Sequence, residues 1–252
     1  MKQILNILVF LFLFLQSAFS ANVDTLFTRA NQEYANEMYT NAIDDYQLIL
    51  QTGYESVELY FNLGNAYFKT NDVPSAILYF EKAKKLRPND NDIIFNLSVA
   101  NTQIVDKIEP VPELFLKQWW RSIYNIFNAD TWAIISVVGF ILFFVLLAFY
   151  LLSKYIVIRK AAFYSGFIVL FLTLFTFIIA FQKYNILKHQ KEAIVFTPTI
   201  TVKSSPNQNS VDLFVIHEGA KVKILERVGN WSEIKIANGS VGWLPAEVLK
   251  DI

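Results

Sequence analysis

The chain contains no cysteine. That excludes disulfide bridges, thiol nucleophiles, cysteine-ligated zinc and a lipidated N-terminal cysteine. Histidine is nearly as scarce. His189 and His217 are the two present, and neither stands in an HExxH arrangement or another metal-ligand spacing. There is no glycine-rich phosphate loop and no Gly-x-Ser-x-Gly elbow. Charged residues make up only 17% of the chain, against about a quarter in soluble domains. The 22 basic residues are matched by 22 acidic ones, so no global field would draw nucleic acid. Asp44-Asp45 falls within a helical pattern and reads as solvated charge. No catalytic, metal-binding or cofactor-binding residue emerges, and the expectation is a protein that is not an enzyme.

Apolar residues are abundant, at 54% of the total. At the N-terminus Lys2, an apolar run from Ile4 to Leu15, and Ala18-Phe19-Ser20 read as an export signal over 1–20, cleaved before Ala21. An uncleaved anchor is the alternative. Two further stretches, 132–152 and 161–181, each run 21 residues without a charge. Each is long enough to cross about 30 Å of hydrocarbon as a helix. Neither carries a buried charge that would mark a proton path or pore. The intervening SKYIVIRK, 153–160, holds Lys154, Arg159 and Lys160 and no acid, which favours the cytoplasmic side. Two crossings return the chain to the side it left. The expectation is a bacterial inner-membrane protein whose soluble parts both lie in the periplasm. Ala162 and Gly166 read either as close packing between the spans or as small residues facing lipid. Residues 113–128 gather Leu116, Trp119, Trp120, Ile123 and Phe127 on one helical face, with Lys117, Arg121, Asn125 and Asn128 on another. This is an expected interfacial helix.

A repeat fills the region before it. YFNLGNAY at 60–67 aligns with IFNLSVAN at 94–101, a spacing of 34, and Ala30, Ala42 and Tyr46 align with Gly64, Ala76 and Phe80. A period of 34 with helical patterning marks stacked helix pairs. The middle copy resembles the tetratricopeptide repeat, with Tyr60, Leu63, Gly64, Tyr67, Ala76, Phe80, Ala83 and Pro88 at that family's spacings. Gly64 and Ala76 would let the helices of a pair approach closely, and Asp72 would cap the second helix with Pro74 in its first turn. The array is expected over 21–108, as repeats 23–56 and 57–90 and a half-repeat 91–107 acting as a solvating cap. In the first copy Tyr34 stands one place later than Tyr67 requires.

Groove-facing candidates for partner binding are Asn31, Phe61, Asn62, Asn65, Phe68, Lys69 and Asn96. Asn31 and Asn62 match the asparagines of the family's carboxylate clamp. Its basic positions are occupied by Phe27, Asp92 and Asn96, so capture of a C-terminal carboxylate is not expected. The asparagines also have a bland reading, as hydrogen-bond partners of neighbouring backbone. Residues 21–112 carry 13 acids and 7 bases, a surface suited to basic or neutral partners.

After the second span the hydrophobic period switches to two, with turn signals at Ser205-Pro206-Asn207, Glu218-Gly219, Gly229-Asn230 and Asn238-Gly239. Several short strands over 192–252 imply a small closed β-barrel. Val202-Lys203-Ser204, Gly229-Asn230-Trp231 and Gly242-Trp243-Leu244-Pro245 resemble a bacterial SH3-like domain, which implies binding to peptide or cell wall. Trp231 and Trp243 would form an aromatic groove, or else lie in the core.

The fold class expected is therefore a multi-domain membrane protein: an all-α tetratricopeptide array, a two-helix transmembrane hairpin and an all-β SH3-like barrel. This order resembles the BatE proteins of the Bacteroides aerotolerance family. The resemblance implies von Willebrand A-domain membrane proteins and a MoxR-type ATPase as partners, and a role in envelope or oxidative stress tolerance. The leading reading is a scaffold that binds proteins or peptides. The alternative is an envelope sensor whose SH3-like module binds peptidoglycan.

Overall fold

The computed structural model describes residues 23–108, 114–189 and 191–252. The expected export signal over 1–20 lies outside them. Two compact units form. One joins the residues before Pro110 to Glu192–Ile252, and the other is Pro110–Lys191.

The first unit opens with five helices: α1 over 23–35, α2 Tyr39–Gln51, α3 Val57–Lys69, α4 Val73–Leu86 and α5 Asn91–Gln103. Local chemistry sets their starts. Ser56 accepts from the Leu59 N–H at 3.1 Å, Asp72 from Ser75 at 3.1 Å, and Asp90 from Asp92 and Ile93, each capping donors that the first turn leaves unpaired. Pro74 sits in the first turn of α4. The repeat is also visible in the backbone. Glu37 and Asn71, one period apart, both adopt a left-handed φ, 62° and 63°, where α1 and α3 stop. Tyr46, Ile49, Leu59, Leu63 and Phe80 fill the core. Gly64 lies directly against Phe80, and a β-carbon there would stand 2.7 Å from the ring.

Seven antiparallel strands follow: β1 Lys191–Val195, β2 Thr199–Lys203, β3 Asp212–His217, β4 Lys221–Val228, β5 Trp231–Lys235, β6 Val241–Pro245 and β7 Leu249–Asp251. They form one sheet in the order β3-β2-β6-β5-β4-β1-β7. β3 and β7 stand at its ends. The sheet curls around a single core to which every strand contributes, Val202, Ile216, Val222, Ile234 and Leu244 among them. At Gly242 a β-carbon would meet Val202 Cγ1 at 2.5 Å and the Lys203 carbonyl at 2.8 Å, so β2 and β6 cross where only glycine fits.

Array and sheet share packing. Ile194 of β1 is fully buried among Ala76, Ile77, Leu97 and Ala100 of α4 and α5. Gly219 abuts Ile104, leaving no room for a side chain. A polar border surrounds this contact. Asp106 accepts from the His217 backbone N–H at 2.6 Å and meets its ring Nδ1 at 2.9 Å. Lys221 bridges Glu81 at 2.9 Å and Glu192 at 2.8 Å. Lys85 donates to the Ile252 carbonyl at 2.9 Å. The half-repeat therefore differs from the expected solvating cap. Leu97 and Ala100 stand one period after Leu63 and Ala66, which are buried, and without a second helix in their own repeat they need cover from elsewhere. The sheet supplies it. His217 is half-buried at this border.

The second unit holds α6 Phe115–Tyr124, α7 Ala129–Leu152 and α8 Ile156–His189. Both α7 and α8 are long and apolar enough to cross a membrane. The expected loop over 153–160 is only a three-residue turn, 153–155, because nothing from Ile156 onward breaks the helix. Ala162 and Gly166 are buried, with Leu146 nearest to Gly166, so they face the neighbouring helix. Gly139 lies similarly against Thr173. The expected interfacial helix stops at Tyr124 rather than 128. Asn125 ends it, and Asn128 instead caps α7, accepting from Thr131 at 2.8 Å.

Ile194→Ala should destabilise the first unit by about 2–5 kcal/mol, the range for emptying a buried aliphatic site. Hydrogen exchange should quicken in α5 as well as in β1. Faster exchange confined to the sheet would refute the shared core.

Candidate functional site

The period that builds the array also pairs its asparagines. The Asn62 amide donates to the Asn31 carbonyl oxygen at 3.0 Å, and Asn96 donates to Asn65 at 2.7 Å. Asn65 and Asn96 are Asn31 and Asn62 shifted by 34. One side-chain bond is thus made twice, each time joining the first helices of successive repeats. Tyr46 donates its hydroxyl to Asn31 at 2.6 Å. Burial pushes that hydroxyl up to about 12, so it stays a neutral donor. Phe80, one period on, has no hydroxyl, and the second rung lacks this third member. The asparagines bind one another across repeats rather than neighbouring backbone, a partnering that neither sequence reading contained.

Aromatic rings follow the same rule. Phe27 meets Tyr46 and Phe61 meets Phe80, each at 5.9 Å between centroids. The third member is Phe95. Its ring partner would fall at position 114, where Leu114 lies in the other unit. Phe95 is accordingly 66% exposed. Beside it opens a cavity of about 300 Å³ lined by Tyr34, Asn65, Phe68, Lys69, Phe80, Phe95, Asn96 and Val99.

Of the sequence candidates, the structure brings Asn65, Phe68, Lys69 and Asn96 together in this cavity. Asn31 and Asn62 lie one repeat away, bonded to each other. Phe61 is half-buried and packs into the array core against Phe80. Tyr34, Phe95 and Val99 were missed by sequence reasoning. The signal for Phe95 was available in the 27–61–95 spacing, together with the absence of a second helix to cover its last member.

On the sheet, Trp231 stands opposite Pro245 and Trp243 opposite Glu233. Strand alternation puts both on the outer face, since their neighbours Ser232, Ile234 and Leu244 are buried inward. They do not share a cavity. Trp231 lines a depression of about 450 Å³ with Gln208, Asn230, Pro245, Ala246 and Glu247. Trp243 pairs instead beside Lys203 of β2. No group of three or more His, Asp or Glu able to hold a metal occurs among the described residues.

Residues 57–90 match the tetratricopeptide repeat family. Residues 198–250 match the bacterial SH3 domain. No curated protein matches the chain. The tetratricopeptide match covers the middle repeat, and the asparagine and aromatic pairs extend the same period to the copies on either side. Both kinds of module serve binding, to proteins or to peptidoglycan, which fits a concave cavity on the array and an aromatic depression on the SH3-like sheet.

A double-mutant cycle on Asn65→Ala and Asn96→Ala should return a coupling of about 0.5–1.5 kcal/mol in unfolding free energy, the net worth of one such hydrogen bond. Zero coupling would mean that the second rung does not form in solution.

Proposed function

We propose that the chain is a non-enzymatic membrane-anchored scaffold. It grips a partner protein in the concave cavity of its tetratricopeptide array, with the SH3-like module fixed alongside. The observation carrying this reading is Phe95, a large ring left without the partner that Phe27 and Phe61 have, beside a cavity edged by Phe68, Lys69, Asn65 and Asn96. An aliphatic or aromatic side chain of a bound segment would take the missing ring's place and remove its apolar surface from water. Asn65 and Asn96 have carbonyl and amide capacity beyond their one mutual bond, enough to hold that segment's backbone.

α7 and α8 supply the anchor, crossing the bacterial inner membrane twice. Array and SH3-like module stand together in the periplasm. Their shared core supports this arrangement, since one crossing would part them and two reunite them. The three-residue turn between α7 and α8 leaves no room for an output domain on the far side, which favours a scaffold over a signalling receptor. The likeness in module order to the BatE proteins supports a place in an aerotolerance or envelope-stress assembly, with von Willebrand A-domain proteins and a MoxR-type ATPase as partners. A second reading rests on the Trp231 depression: the SH3-like module binds peptidoglycan and the chain senses the wall.

Photo-crosslinkers placed at Phe68, Lys69 and Phe95 in cells should capture a partner that probes at Leu48 and Lys84 do not. Adducts only from the latter would overturn the groove. Protease added to spheroplasts should cut both the array and the SH3-like module, and protection of either contradicts the topology. Binding of the full chain to wall sacculi, abolished by Trp231→Ala but untouched by a substitution at Phe95, would favour the second reading.

A further inference from the structure

The helix α6 presents an apolar arc that its own unit covers only in part. Successive residues on an α-helix are set about 100° apart. Phe115, Leu116, Trp119, Trp120 and Ile123 therefore share one side, while Lys117, Gln118, Arg121 and Ser122 share the other. The C-terminal part of the apolar arc is occupied: Trp120, Ile123 and Tyr124 pack on the cluster of Trp132, Ile179 and Ala180, with Trp120 edge-on to Phe175 at 6.0 Å. The N-terminal part is open, with Phe115, Leu116 and Trp119 at 74%, 62% and 65% exposure.

The end of α6 is fastened. Lys183 of α8 donates to the Tyr124 carbonyl at 3.0 Å and to the Phe127 carbonyl at 2.7 Å. These carbonyls lie at and just beyond the end of a helix, where oxygens lack intrahelical donors and carry partial negative charge. Trp132 adds its ring N–H to the same Tyr124 oxygen at 3.3 Å. Lys183 is itself buried at this contact. The clasp holds α6 against the end of the hairpin where α7 begins and α8 leaves. That end is the level at which a pair of membrane helices meets the headgroups.

We infer that α6 is a lipid-binding foot. It lies along the headgroup–acyl boundary, with Phe115, Leu116 and Trp119 entering the bilayer and Lys117 and Arg121 turned to the headgroups. The inference rests on the membrane reading of α7 and α8. The occupant is lipid because α6 packs on α7 and α8, whose flanks are likewise exposed and apolar at Ile134, Val138 and Phe181, and the environment that solvates those flanks is the one at hand. The opposite arc carries cations suited to phosphate. A helix in this setting sinks its apolar side about 5–10 Å into the boundary, and tryptophan favours that depth because its ring is apolar and its N–H polar.

The natural absence of cysteine makes the test direct. Single cysteines are introduced into the full chain at positions 115, 116, 117, 119 and 121, and at Val138 in α7. Each is spin-labelled and reconstituted into phosphatidylcholine–phosphatidylglycerol vesicles. Labels at 115, 116 and 119 should favour collision with oxygen over a water-soluble nickel chelate, labels at 117 and 121 the reverse, and Val138→Cys should report lipid. Adding Lys183→Met should lower the oxygen preference at 119 at least twofold while leaving 138 unchanged. A lipid signal at 138 with water signals at 115, 116 and 119 overturns the foot but leaves the membrane reading intact. So does spin–spin broadening at 119, which would mean a second copy covers the open part. A water signal at 138 overturns both.

Discussion

One apolar contact governs the arrangement of this chain: Ile194, carried on the first strand after the hairpin, closes the end of a helical array made before it. A solenoid of helix pairs is held by nearest-neighbour packing, and its last element always presents a face with nothing stacked on it. Here the array stops half-way through a repeat, so that face includes Leu97 and Ala100, which belong inside. The sheet lies on it, and the polar border of Asp106 with His217 and of Lys221 with Glu81 and Glu192 fixes how it lies. Burial alone would pull the Lys221 pKa down, but the two carboxylates outweigh it and leave it raised. The cation is therefore kept where it joins both partners. Two segments separated by the hairpin thus behave as one body. Its two cavities, one concave and helical, the other beside Trp231, cannot drift apart as they would on a flexible linker.

The same truncation that calls for the sheet leaves a ring exposed beside a cavity. Phe27 and Phe61 are each satisfied by a ring from the second helix of their own repeat. Phe95 stands where, among the described residues, the array has no second helix to follow α5. Covering the inner side of α5 with a sheet rather than with a helix buries Leu97 and Ala100 yet leaves Phe95 open. The asparagine rungs hold the first helices at a fixed spacing, so the cavity walls are preorganised, which lowers the ordering cost of association.

What sequence reveals here depends on how local the signal is. Tyr60, Leu63, Gly64, Tyr67 and Phe80 lie within one repeat, and their spacing alone gave the helix pair, the close approach at Gly64 and the cap at Asp72. The apolar runs marked α7 and α8 for the same reason. The hairpin turn was placed too widely because Lys154, Arg159 and Lys160 look like loop residues, yet charge alone does not end a helix, and 153–160 holds no Pro or Gly to break one. The asparagines were singled out by position, but their pairing with one another joins residues 31 apart and only becomes visible once the helices are stacked. Least legible was the docking of sheet on array. His217 and Asp106 are separated by 111 residues, and no periodicity links them. A buried Ile194 in a β-strand looks the same in sequence whether it faces its own sheet or a neighbour.

The position of Ile194 also bears on how the protein is made. Ribosomes add about 5–20 residues per second, so the array emerges with Ile77, Leu97 and Ala100 bare for on the order of ten seconds before β1 is synthesised. During that interval α7 and α8 are themselves being made. Nascent chains of this protein therefore pass through a stage with a sticky, unfinished helical stack, and a holdase that shields hydrophobic surface would raise its yield.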